Sequence, residues 1–395
     1  MGGSRWAPRA GAVVGKYSLS QVIARGSAAS IWRATRISEA VGAEDVAIKC
    51  ISGSRVRSEL IENEVGTLSL ACLHPNVVSL LEVATVGEWT CLVMPLATGI
   101  ALDRDLEQAL SSSGGKLSEA NARDFFRQIV LAVAHCHSRG VYHGDLKMEN
   151  VLLQHRPGSK PDPILWLCDF GCATMSSTRT ETVGTANYLA PEAVEDDARY
   201  DAGKADMFSL GVLLYVMLAG HFPFARPPLS ALNSRATRDA VIAAYADGDP
   251  ATLCFPPGVS TEAASVVRAL LQRDPAARPC AASVATDAWL VQEGIPPHPS
   301  AAVRPRPCPM AVASSGLRRL TEPDNSADTP KVSAVLLCTP NASLPPELGC
   351  GDVVARCGCS GPLRPRTLSL PVQLARCENR IALGVCASIP CDPCC

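Results

Sequence analysis

A change of texture near residue 100 constrains this 395-residue chain more than any single motif does. From Tyr17 to about Ala97, short β-prone runs alternate with Gly, Ser and Asp turns, at 18–24, 30–35, 45–51, 77–86 and 89–94. One helical segment interrupts them at 59–72, with Leu60, Val65, Leu68 and Leu70 as its apolar positions. Beyond residue 100 the apolar spacing turns helical. Ser118 can cap a helix running through Phe125, Phe126, Ile129, Val130 and Val133. Asp206 opens an apolar helix over 207–218, and the pattern predicts further helices near 237–245, 261–271 and 281–290. A sheet-rich part followed by a helical part is α+β order, not the strand–helix alternation of a doubly wound sheet. The 207–218 segment is apolar nearly all round, so it belongs at the centre of its lobe.

Composition narrows the partners. The formal net charge of −2 gives no electrostatic reason to expect nucleic acid or an anionic membrane surface. No transmembrane segment is expected, because the longest apolar run, 207–219, is short for a bilayer and contains Ser209 and Gly211. No apolar leader follows Met1, and Trp6 stands where a myristoylation pattern wants Ser or Thr. Of the 18 cysteines, several (Cys72, Cys91, Cys136) sit inside apolar runs as small buried hydrophobes. A reducing setting, cytoplasmic or nuclear, is the expectation. Residues 1–16 read as a flexible lead-in. From residue 292 to 395 the chain is rich in Pro and Cys without sustained periodicity, which predicts a disordered tail of unknown partners. Cys357-Gly358-Cys359 and Cys391-Asp392-Pro393-Cys394-Cys395 lack the paired spacing of a zinc site, and the ending is not a prenylation signal.

The chemistry concentrates in His143-Gly144-Asp145-Leu146-Lys147-Met148-Glu149-Asn150 and, about twenty residues on, Asp169-Phe170-Gly171. An acid able to accept a hydroxyl proton, a lysine, an amide and a second acid are the parts that move a phosphoryl group from a metal-bound nucleotide to an alcohol. Val46-Ala47-Ile48-Lys49 adds a strand ending in lysine. Val183-Gly184-Thr185-Ala186-Asn187-Tyr188-Leu189-Ala190-Pro191-Glu192 adds a Thr-containing segment that ends in Pro-Glu.

Together these motifs resemble eukaryotic-type serine/threonine protein kinases, closest to the calcium/calmodulin-dependent and Snf1-like groups, over residues 17–291. The resemblance implies a bilobal α+β fold, with an N-lobe at 17–94 and a C-lobe at 98–291, that uses ATP and Mg2+ on protein substrates. It makes Asp145 the general base or the residue that orients the substrate hydroxyl, and Lys147 the neutraliser of the migrating phosphoryl group. Asn150 and Asp169 become magnesium ligands. Lys49 would hold the nucleotide phosphates, paired with Glu64, with Glu62, two residues earlier, as the alternative. Ile23, Gly26, Ile31, Ala47 and Met94 would line the nucleotide cleft, Met94 as gatekeeper, with Pro95 removing one backbone donor from the hinge. Glu192 and Arg278 would form a buried pair, and Asp206 would brace the catalytic loop.

Two departures matter. The glycine-rich phosphate lid keeps only Gly26, with Ala24 and Ala29 in place of the other two glycines. That thinning leaves a non-catalytic scaffold of the same fold as the rival reading. The arginine usual before the catalytic aspartate, which in many kinases binds a phosphothreonine, is Gly144, and Glu181 stands near that phosphosite. Activity is therefore expected not to depend strictly on phosphorylation of Thr178, Thr180 or Thr182. Glu149 and Asp105 fall where related kinases read arginine upstream of the target hydroxyl.

Overall fold

Alternating burial in the first hundred residues produces an antiparallel sheet. Its strands are β1 (Val13–Val14), β2 (Tyr17–Arg25), β3 (Ala29–Arg36), β4 (Val46–Ser52), β5 (Glu82–Val86) and β6 (Trp89–Pro95). In it β4 pairs with β6 rather than with β5. In the computed structural model the described residues are 6–37, 45–99, 116–154, 163–194, 199–224 and 250–291, with the backbone of 332–335. All lie in one unit, Met1–Thr339; a second unit, Pro340–Cys395, is outside the described residues. The predicted helix at 237–245, Asp105 and the tail cysteines are outside them too.

The two-residue period of a strand sorts β4 onto two faces. Val46, Ile48 and Cys50 pack with Leu19, Trp32, Ala34, Cys91 and Val93 in one apolar cluster. Ala47, Lys49 and Ile51 face the other way, and Ile51 joins the core shared with the helix α1 (Ser58–Ala71). That helix buries Ile61, Val65, Leu68 and Ala71 at helical intervals, and Glu64 lies on the same face. The predicted strand over 77–86 is shorter than its apolar run: β5 begins at Glu82, while Val77 makes only an isolated bridge to Leu167.

The second lobe is helical. Ser118 caps α2 (Glu119–Ser138), its hydroxyl accepting from the Asn121 N–H at 3.2 Å. The hairpin of β7 (Val151–Gln154) and β8 (Ile164–Leu167) flanks the catalytic loop, and β9 (Thr178–Arg179) pairs antiparallel with β10 (Tyr200–Asp201). Then come α3 (Ala202–Ala219), α4 (Thr261–Leu270) and α5 (Ala281–Ala285). The start of α3 corrects the sequence expectation. Asp201, not Asp206, caps it, accepting from the Lys204 N–H at 2.9 Å, and Asp206 is buried within the helix. Length and apolarity alone would let α3 cross a membrane, but 72% of it is buried inside the lobe, as a core helix is. Likewise α5 ends at Ala285, because the chain turns there to bury Trp289 and Leu290. A strand β11 (Val332–Val335), in the stretch that shows no sustained periodicity, pairs antiparallel with β5 and completes the order β1-β2-β3-β4-β6-β5-β11.

The two lobes meet partly through two imidazoles. His74, after α1, stacks on His135 of α2 with ring centroids 5.1 Å apart, and its Nδ1 accepts from the Asn76 N–H. Burial pushes His74 down to about 4, and burial, then Arg139, lowers His135. An unfolded chain, with histidines near 6.5, takes up protons that the folded one refuses. The stability these rings contribute is therefore full above pH 6.5 and is lost as the pH falls towards 4. Allowing for their partial exposure, about 1–2 kcal/mol is expected to vanish, lowering the melting temperature by about 3–6 °C between pH 7.5 and 5. Melts of wild type and His74→Phe check this: the variant should show the shallower pH dependence.

Candidate active site

The candidate catalytic residues come together at the junction of the lobes. From β4, the Lys49 ammonium reaches Glu64 Oε1 of α1 at 2.6 Å and Asp169 Oδ1 at 2.7 Å. Glu64 is buried, whereas Glu62 is exposed, so the partner of Lys49 is Glu64. The reason is helical phase: two residues turn the side chain about 200° around the axis, away from the sheet. Burial alone would lower the Lys49 pKa, but the carboxylates of Glu64 and Asp169 outweigh it and hold the amine protonated. Asp169 feels burial too, but the Lys49 charge and hydrogen bond keep it below the usual carboxylate range.

Asp169 takes a left-handed backbone, φ 62°, the one non-glycine positive φ among the described residues. Such a conformation is costly and persists where surrounding contacts impose it. Here its Oδ1 accepts from Lys49 and from the Gly171 N–H, while Phe170 is buried against His143 at 4.9 Å. Asn63, which sequence reasoning missed, donates to the Ala173 carbonyl at 2.7 Å and ties α1 to the same turn.

Across the cleft, Asp206 holds the catalytic loop by its backbone. Its Oδ2 accepts from the His143 N–H at 2.8 Å and its Oδ1 from the Gly144 N–H at 2.9 Å. The His143 ring accepts from the Asp145 N–H through Nδ1, so its proton sits on Nε2, which donates to the Cys168 carbonyl. Downstream of this brace, three side chains close on one another. Lys147 Nζ lies 2.7 Å from Asp145 Oδ2 and donates to the Thr185 hydroxyl at 2.7 Å. That hydroxyl donates in turn to Asp145 Oδ1 at 2.8 Å. Asn150 Nδ2 donates to the Asp145 carbonyl at 2.9 Å and to its carboxylate at 3.2 Å.

This donor set suits a magnesium ion. With its Nδ2 committed to Asp145, Asn150 presents a side-chain carbonyl oxygen, and Asp169 presents Oδ2, so both candidate ligands are hard oxygens. Bound there, the ion would neutralise phosphate charge.

The nucleotide-cleft candidates divide. Strand register pairs Ile31 with Lys49 and Ala47 with Met94, which puts these four on the same face of the sheet. Ile23 sits at a register irregularity of β2 and is 51% exposed. At the lid tip, the Gly26 N–H donates to the Ala29 carbonyl at 2.8 Å, and a Cβ on Gly26 would meet only that oxygen, at 3.6 Å. The turn therefore has room for a side chain at position 26. Arg55, with no sequence signal to mark it, donates to the Ser27 carbonyl at 2.9 Å and anchors the tip.

The expected buried pair is present: Arg278 bonds both Glu192 oxygens, at 2.6 and 2.8 Å. Among the described residues no group of His, Cys, Asp and Glu forms a separate metal cluster.

Comparison with known proteins agrees with this architecture. Over 294 residues the chain is 35% identical to CBL-interacting protein kinase 31 of Oryza sativa subsp. japonica, covering 72% of this chain and 59% of that one. Identity to CBL-interacting serine/threonine-protein kinase 9 of Arabidopsis thaliana is 33%, over 72% and 60% of the two chains. The chain thus spans about 60% of the length of these curated relatives. Residues 17–290 match the family described as the protein kinase domain, and with the bilobal α+β fold around Lys49, Asp145 and Asp169, the chain belongs to the protein kinase family.

Proposed function

We propose that this chain transfers the γ-phosphoryl group of ATP, with Mg2+, to serine and threonine hydroxyls of protein substrates, and does so without obligatory phosphorylation of its activation segment. One observation carries the reading: the Thr185 hydroxyl hydrogen-bonds both Asp145 and Lys147. An alcohol can therefore sit where a carboxylate accepts its proton while an ammonium lies beside the same oxygen. A substrate hydroxyl taking that place would be oriented by Asp145, and Lys147 would offset the charge of the incoming phosphoryl group. Lys49, fixed by Glu64, would hold the nucleotide phosphates.

Independence from phosphorylation is supported by the ordering of the unmodified segment, through β9–β10 pairing and the Tyr200 hydroxyl on the Glu181 carbonyl at 2.8 Å. Glu149, exposed in the turn Met148–Asn150, supplies an acid for arginine upstream of the target.

Purified chain with ATP and Mg2+ on a peptide array is expected to label Ser/Thr peptides, with a gain from arginine at minus three. The triple variant Thr178→Ala, Thr180→Ala, Thr182→Ala should keep most of the rate, because the contacts that order the segment, the β9–β10 pairing and the Tyr200 hydroxyl on the Glu181 carbonyl, use its main chain. Background-level labelling by wild type would favour the scaffold reading. Loss of most activity in the triple variant, restored by acidic residues, would overturn phosphorylation independence.

A further inference from the structure

The catalytic loop has a gap at Gly144, and the activation segment fills it. Gly144 has φ +73°, and a Cβ built on it would stand 2.6 Å from Arg179 Nη1 and 2.7 Å from the Cys172 carbonyl oxygen. Arg179 Nη1 donates to that same carbonyl at 2.6 Å. The guanidinium therefore occupies the volume that any side chain at 144 would enter. Gly184 closes the gap from the other side: with φ +109°, its Cβ would fall 2.6 Å from the Gly144 carbonyl oxygen, so the segment bearing Thr185 rests directly on the catalytic loop.

The backbone of Arg179 is fixed independently. It lies opposite Tyr200 in the β9–β10 pair, and β10 runs straight into α3, whose Asp206 holds the His143 and Gly144 N–H groups. Cys172, which receives the guanidinium, ends the short 3-10 turn that Asp169 opens. Arg179, Gly144, Tyr200 and Asp206 line one small pocket together with Val183 and Leu189. A closed circuit results, from the metal-binding turn through Arg179 to the activation segment, then through α3 back to the catalytic loop.

We propose that Arg179 is a positioning residue for phosphoryl transfer: seated against Gly144 and Cys172, its guanidinium locks the activation segment onto the catalytic loop in the unmodified chain. This rests on the kinase reading above and gives it a physical basis, since a segment pinned by its own cation needs no added phosphate to find its place.

Steady-state kinetics of the full chain test it. Arg179→Ala is expected to lower kcat about 30-fold, the scale of a small misplacement of reacting groups. The ATP KM should stay within about twofold, because the nucleotide is held elsewhere. Arg179→Lys, which keeps a cation able to reach the Cys172 carbonyl, should recover much of the loss. Wild-type kcat in Arg179→Ala would overturn the proposal. If Arg179→Ala does not fold, Arg179→Lys against Arg179→Gln decides, and equal kcat in those two overturns it. An inactive wild type overturns the kinase reading instead, a result distinct from an active wild type that ignores Arg179.

Discussion

Asp145→Asn is expected to reduce phosphoryl transfer at least about a thousandfold, within the range a positioned general base contributes, while nucleotide binding and thermal stability stay near wild type. Asp145 accepts at both oxygens: Oδ1 from the Thr185 hydroxyl, Oδ2 from Lys147 and Asn150. Asparagine offers one acceptor and one donor. If its NH2 faces Lys147 and Asn150, donor meets donor; if it faces the hydroxyl, the proton acceptor is gone. Neither orientation restores a base. Of the groups proposed to hold nucleotide and metal, Lys49 bonds Asp169 and Glu64 rather than Asp145, and Asn150 keeps its 2.9 Å bond to the Asp145 main-chain carbonyl, so binding should survive. Initial rates on a Ser/Thr peptide, beside the ATP-induced rise in melting temperature, separate the two effects. Residual activity above about a tenth of wild type would fall short of a general-base effect and would remove Asp145 from that role.

Much of this site was legible because its parts are contiguous in the chain. The segments 143–150, 169–171 and 46–49 each carry several functional groups within a few residues, and the fold only has to bring three segments together. The identity of the Lys49 partner was half legible: two glutamates two residues apart satisfy the same spacing, and only the buried face of α1 distinguishes them. Contacts of side chain to distant backbone left no trace. Arg55 on Ser27, Asn63 on Ala173 and Arg179 on Cys172 involve residue types that are ordinarily solvated, and no periodicity marks a carbonyl as a partner. The start of α3 was misplaced for a related reason. Asp201 and Asp206 are equally good caps by type, and Asp206 is spent on the catalytic loop instead. An apolar run likewise says that 77–86 is buried but not that it is extended, so β5 came out shorter than its hydrophobic stretch.

Arg278→Met is expected to cost about 3–5 kcal/mol, the scale for removing one member of a buried ion pair. Arg278 is 1% exposed, and all five of its donors are used. Nε donates to the Gln272 carbonyl, Nη1 to Glu192 and the Lys204 carbonyl, and Nη2 to Glu192 and the Arg273 carbonyl. The guanidinium also lies over the Phe208 ring at 5.0 Å. Methionine preserves the packing on Phe208 but leaves a largely buried carboxylate and three carbonyls without their donor. Against a total stability of about 5–15 kcal/mol, that loss is severe, and the melting temperature should drop by about 10–15 °C. Glu192 follows Pro191 at the end of the activation segment, so turnover should also fall at temperatures where the variant is still folded, through loss of the segment's anchor rather than of any reacting group. Adding Glu192→Leu removes the stranded charge, and the double variant should be less damaged than the sum of the two singles. Thermal melts of the three variants decide it. A loss under about 1 kcal/mol for Arg278→Met would place the pair among exposed, weakly coupled ion pairs, in conflict with its burial.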